Sequence, residues 1–104
     1  NESVDYADFA HNLTNKVSQN EDSLGILICG TGVGMSMAAN RKKGIRAGLV
    51  SNPEITRLIR QHNNANVLVL PGRFMADEDA KNCVQIFLKT EFEAGRHKKR
   101  IEKI

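Results

Sequence analysis

The chain has 104 residues, 40% of them apolar and 26% charged, enough for one domain and too few for two. Its formal charge of +3 is local: residues 96–104 hold Arg96, Lys98, Lys99, Arg100 and Lys103 against Glu102, so this tail carries +4 and the rest −1. No aromatics are interleaved with the basic residues to stack on bases, and no apolar run approaches the roughly 20 residues of a membrane span, so neither nucleic acid nor membrane is an expected partner.

Taken in chain order, Tyr6, Phe9, Ala10, Leu13 and Val17 recur at helical spacing and predict an amphipathic helix with these five inward, ending in the polar run 18–23. Gly25-Ile26-Leu27-Ile28-Cys29 is a short apolar run, as a strand buried on both faces would be. It stops in Gly30-Thr31-Gly32-Val33-Gly34, after which residues 35–41 read as a helix closed by Lys42-Lys43-Gly44. Residues 45–50 read as the next strand. Ser51-Asn52-Pro53-Glu54 then offers a cap, a proline in the first turn and an acid, opening a helix to about Gln61 with Ile55, Leu58 and Ile59 inward. Residues 66–70 predict a third strand closed by Pro71-Gly72. From Asp77 a long helix places Ala80, Cys83, Val84, Phe87 and Leu88 on one face, which makes Cys83 a core residue.

Strands separated by helices cannot pair as hairpins, so the expected class is α/β, a parallel sheet with helices on both faces. A helix opens the chain with no strand before it, and three strands make a small sheet. A further segment is therefore expected to precede Asn1. The two cysteines have no metal-like spacing; the expectation is a cytoplasmic protein with reduced thiols, no metal and no cofactor.

The glycine segment lies where a strand gives way to a helix, the edge at which open α/β sheets bind ligands. Backbone N–H groups there can converge on an anion or a developing oxyanion, but a tight turn would use the same glycines. Neither GxGxxG nor GxxxxGK[ST] is present, so the nucleotide fingerprints are not met. Cys29 can be read as a thiolate base or nucleophile, or as a buried strand end. His62, in Arg60-Gln61-His62-Asn63-Asn64, is either surface decoration or part of a site with Asn63 and Asn64, whose amides suit sugar hydroxyls. Arg73 follows the third strand, and Arg96 and Arg100 stand four apart, on one helical face able to grip a phosphate.

Together, the segments 25–34, Gly44-Ile45-Arg46-Ala47-Gly48, Arg60-Gln61-His62-Asn63, Asn66-Val67-Leu68 and Phe92-Glu93-Ala94-Gly95-Arg96-His97 resemble the type B ribose-5-phosphate isomerases, a family that includes galactose-6-phosphate isomerase subunits. The resemblance implies a three-layer α/β/α, Rossmann-like fold with five parallel strands, of which residues 1–104 supply the last three, the family's first strand-helix-strand being absent. It implies a homodimer or dimer of dimers with the site shared between subunits, and a sugar phosphate as substrate. By the same resemblance, Cys29 would move a proton between C1 and C2 through an enediolate, and Thr31 and His62 would help open the furanose ring. The N–H groups of Gly30, Thr31, Gly32, Val33 and Gly34 would hold the oxyanion. Asn63 would bind hydroxyls, Arg73, Arg96 and Arg100 the phosphate, and Tyr6 would lie near the substrate. The implied reaction interconverts ribose 5-phosphate and ribulose 5-phosphate, in the non-oxidative pentose phosphate pathway; a galactose-6-phosphate isomerase subunit and a non-catalytic phosphosugar-binding remnant are the alternatives.

Overall fold

The computed structural model describes residues 5–95 and 97–104. Helix α1 (Tyr6–Ser18) starts at Asp5, whose carboxylate accepts the N–H of Ala7 at 3.0 Å. Ala10, Thr14 and Val17 form its buried face, with Leu13 partly buried beside them. Tyr6 and Phe9, expected inward, are about half exposed. Thr14 takes a core position because its hydroxyl donates to the His11 carbonyl at 3.2 Å and so needs no outside partner.

Strand β1 (Gly25–Cys29) leads to helix α2 (Val33–Asn40), which begins two residues earlier than expected. Strand β2 (Ala47–Leu49) is half the expected length. Ile45 is held in a turn, its N–H donating to Lys42 O at 3.1 Å, and the N–H of Arg46 goes to Asn66 Oδ1 at 2.8 Å instead of to a strand. Helix α3 (Pro53–Gln61) starts as read, with Asn52 Oδ1 accepting the N–H of Ile55 at 2.9 Å. Ile55 points outward, however, and Thr56 replaces it in the interior, its hydroxyl donating to Asn52 O at 2.9 Å.

Strand β3 (Val67–Pro71) is followed by a 3-10 turn (Gly72–Phe74), helix α4 (Asp77–Lys89) and helix α5 (His97–Glu102). Cys83 and Phe87 are fully buried on α4, as expected, whereas Leu88 is exposed.

The three strands are parallel in the order β1-β3-β2, with Gly25 level with Val67, Cys29 with Pro71, and Ala47 with Val67. Alternation along the central strand makes two cores. Val67 and Val69 face α1 and α2, packing with Leu27, Met35 and Ala39; Leu68 and Leu70 face α3 and α4, packing with Val50, Cys83 and Phe87. The result is three layers, helices on both faces of a parallel sheet, a Rossmann-like arrangement. Only β3 is buried on both faces. β1 is an edge strand of this sheet: Ile26 packs against the cluster of Cys83 and Phe87, while Ile28, nearer the carboxyl end, is left 59% exposed. At the opposite edge Asn40 substitutes for a neighbouring strand: its Oδ1 accepts the N–H of Ala47 at 2.7 Å and its Nδ2 donates to the Ala47 carbonyl at 3.0 Å. Among the described residues, no helix is long and apolar enough to cross a membrane.

Candidate active site

Cys29 ends β1 half-buried, its side chain packed against the core beneath α1 and α2. The chain then turns through Gly32 at φ 78°, a left-handed conformation that suits glycine, and α2 starts at the next residue. Thr31 Oγ1 accepts the N–H of Val33 at 3.2 Å. One first-turn donor of α2, expected to face an oxyanion, is thus engaged within the loop itself.

Tyr6 and Arg73 flank this segment. A Cβ at Gly34 would fall 2.5 Å from Tyr6 Cε1, so the Tyr6 ring lies directly against the first turn of α2. A Cβ at Gly30 would fall 3.1 Å from Arg73 Nε, and the Arg73 N–H donates to Gly30 O at 3.0 Å. The missing side chains at residues 30 and 34 are what allow both flanking groups to approach. Cys29, the loop 30–34, Tyr6 and Arg73 are therefore gathered at the carboxyl edge of the sheet.

His62 and Asn63 do not join them. Helix α3 starts beyond the carboxyl end of β2 and runs back, so His62 caps it at the amino edge, where β3 begins. Along β1 the two edges are about 13 Å apart, four steps of about 3.3 Å. At the amino edge the His62 ring stacks on His97, the first residue of α5, with centroids 4.3 Å apart and planes 17° from parallel. The Glu93 N–H donates to Gln61 O at 3.0 Å and ties the tail to the end of α3. Arg100 is exposed on α5, and Arg96 lies outside the described residues. The expected residues thus form two groups at opposite edges.

Three residues of the amino edge were not singled out from sequence, His97, Arg46 and Arg60, and they meet there the loop residue Asn64. Arg46 Nε donates to Asn64 O at 2.8 Å, and Arg60 Nη1 donates to Asn64 Oδ1 at 3.1 Å. Burial lowers the pKa of both guanidinium groups, and the charge of Arg46 lowers that of Arg60 further. Asn64 has φ 48°, and an Asn just past a helix is the available sequence signal for such a turn. A cleft of about 320 Å³ runs along the outer edge of β2 between Arg46, Gly48, Ile59, Asn63 and Ile104. It contains none of the carboxyl-edge group, and its lining is mostly apolar.

The family described as Ribose/Galactose Isomerase matches residues 1–104. A probable ribose-5-phosphate isomerase B of Mycoplasma genitalium is 54% identical over 101 residues, 96% of this chain and 66% of the relative. Ribose-5-phosphate isomerase B of Escherichia coli is 46% identical over 103 residues, 99% of this chain and 69% of its own length. The chain spans about two thirds of the length of the curated relatives it matches. Among solved structures, the M. genitalium enzyme with bound ribulose-5-phosphate superposes with a TM-score of 0.95 at 52% identity, covering 99% of this chain and 68% of that one. A ribose 5-phosphate isomerase from Thermotoga maritima gives 0.94 at 55% identity, covering 98% and 70%.

Proposed function

This chain belongs to the ribose/galactose isomerase family, and from that premise we propose that it interconverts ribose 5-phosphate and ribulose 5-phosphate in the cytoplasm, with Cys29 as base. The observation that carries the reading is the thiol of Cys29 at the carboxyl end of β1, directly before a glycine loop and a helix N-terminus, with Arg73 over the loop. The thiolate takes the C2 proton of the open-chain aldose and returns it to C1; the C1 carbonyl oxygen becomes an enediolate oxygen and takes up a proton while the C2 hydroxyl gives one up, which leaves a hydroxyl at C1 and the ketone at C2. Loop N–H groups, those of Gly30, Thr31, Gly32 and Gly34 foremost since Val33 is engaged, oppose its charge. Arg73, with Arg96 and Arg100, binds the phosphate, and Tyr6 lines the sugar from α1.

His62 serves as the acid that protonates the ring oxygen, assisted by Thr31, and Asn63 binds hydroxyls. One subunit cannot bring His62 to Cys29, since they occupy opposite edges of the sheet. The separation supports a homodimer in which the amino edge of one chain meets the carboxyl edge of the other, so that two identical composite sites form. A dimer of dimers would preserve them.

An isomerase assay on the full-length protein with ribose 5-phosphate tests this. Cys29→Ala is expected to lower kcat by about 10²- to 10⁴-fold while substrate binding stays within a few-fold. Unchanged turnover in that variant refutes the base. The family's description also names galactose, which makes galactose 6-phosphate the second reading. Turnover of that sugar with none of ribose 5-phosphate would replace the first reading.

A further inference from the structure

We propose that Arg60 is a positioning residue for this isomerisation, fixing the His62-Asn63 loop to the end of α4 so that the His62 imidazole is held where the sugar ring must be protonated. The inference rests on the isomerase reading above and goes beyond it to a residue that touches no substrate.

Arg60 lies in the last turn of α3. Its Nη1 donates to Ala65 O at 2.6 Å and to Asn64 Oδ1 at 3.1 Å, and its Nε donates to Thr90 O at 3.1 Å. The guanidinium lies over the Phe87 ring, 5.8 Å from its centroid. One side chain therefore joins three segments: the end of α3, the loop entering β3 and the residue that ends α4. The loop is pinned just beyond the pair that matters, because Asn64 is held by its amide to Arg60, by its carbonyl to Arg46 and in a left-handed backbone conformation. Helix α3 fixes His62 from the other side through its N–H to Leu58 O at 2.8 Å. Beyond Thr90 the chain leads to His97, which stacks on His62. Arg60 thus anchors both segments that carry the two imidazoles.

Stability alone is a poor account of this arrangement. The acceptors of Arg60 are all neutral, a second partly buried cation stands nearby, and among the described residues neither Arg46 nor Arg60 makes a salt bridge. An apolar side chain over Phe87 would pack there without desolvating a charge. What only a guanidinium supplies is three divergent donors in a rigid plane, which a lysine cannot reproduce.

The test uses the full-length protein, with folded fraction measured for each variant so that kcat refers to folded enzyme. Arg60→Ala should lower kcat for ribose 5-phosphate by about 10- to 100-fold with KM within about threefold, as displacement of a reacting group by about 1 Å would. The limb of the pH–rate profile that reports His62 should shift, Arg60→Lys should not restore activity, and added guanidinium should restore part of it to Arg60→Ala. A folded Arg60→Ala enzyme with wild-type kcat and an unchanged pH profile overturns the proposal. If that variant does not fold, Asn64→Gly carries the test, since it keeps the left-handed backbone and removes only the amide: a drop in kcat of about threefold or more supports the proposal, and none overturns it. Absence of turnover in the wild type would refute the isomerase reading separately. In that case the ring-proton resonances of His62 and His97 still decide the positioning role, shifting in the variants if Arg60 sets the stack and staying in place if it does not.

Discussion

The two edges of the sheet are built by opposite means. At the carboxyl edge, geometry comes from side chains that are missing: Gly32 turns left-handed, and Gly30 and Gly34 leave room for Arg73 and Tyr6. At the amino edge it comes from side chains that are present: Arg46, Arg60 and Asn66 bond backbone carbonyls and N–H groups of neighbouring segments, and the Asn64 amide oxygen accepts from the Arg60 guanidinium. The first is sensitive to added atoms and the second to removed donors. A loop that must let backbone N–H groups face an anion gains from bare backbone, whereas an imidazole that must be aimed needs a scaffold of fixed polar contacts.

The largest effect would come from separating the edges genetically. If the site is shared between two subunits as proposed, Cys29→Ala and His62→Ala damage opposite edges, and each homodimer should have two impaired sites. When the two variants are mixed and subunits exchange, half the dimers become mixed. Each of those has one site with both groups intact, and activity should rise to about a quarter of the wild-type value. A chain in which Cys29 and His62 served the same site from one subunit would show no recovery, and an isomerase assay before and after exchange distinguishes the outcomes.

Gly32→Ala is expected to cost about 2–4 kcal/mol, read as a fall in thermal midpoint. The alanine would have to hold φ 78°, and its Cβ would meet Val69 Cγ1 at 3.1 Å and Leu49 Cδ1 at 2.5 Å, of which only the exposed Leu49 can readily swing away. At the amino edge Asn66→Ala should cost less, about 1–2 kcal/mol, by deleting the bonds from the Arg46 N–H and to Gly44 O. A denaturant series on both variants checks the order. If Asn66→Ala were the more damaging, the amino edge would be the firmer scaffold of the two.

Sequence made the carboxyl edge more legible than the amino edge for the same reason. Glycines at residues 30, 32 and 34 mark where backbone must be bare, and the strand-to-helix change beside Cys29 locates the edge; the Asn52-Pro53 start of α3 and the core place of Cys83 were readable through equally local rules. The bonds of Arg60 to Thr90 and of Arg46 to Asn64 join residues 30 and 18 apart, which no local pattern announces. Periodicity also misplaced Tyr6, Phe9, Ile55 and Leu88. It counts apolar residues as inward, while Thr14 and Thr56 entered the core by bonding their hydroxyls to the preceding turn. The opposite-edge placement of His62 followed only from the direction of α3 relative to β1.

The smallest effect sharpens the contrast within a single helix. Arg57 stands three residues before Arg60 and pairs with the carboxylate of Glu54, yet both partners are exposed to solvent. Hydrogen bonding from Arg57, aided by its charge, holds the Glu54 carboxyl below the usual carboxylate range. A depressed acid stabilises the fold above its unfolded pKa and loses that contribution as pH falls through the lower folded value. For an exposed pair, solvent screens the contribution almost entirely. Arg57→Ala should therefore leave the thermal midpoint at neutral pH without resolvable change, while the Glu54 side-chain titration, followed by NMR, moves upward toward an ordinary glutamate. Arg60→Ala, which removes no ion pair, should change turnover far more. A larger loss of stability and activity in Arg57→Ala than in Arg60→Ala would mean that the charged contact and not the neutral clamp orders the end of α3.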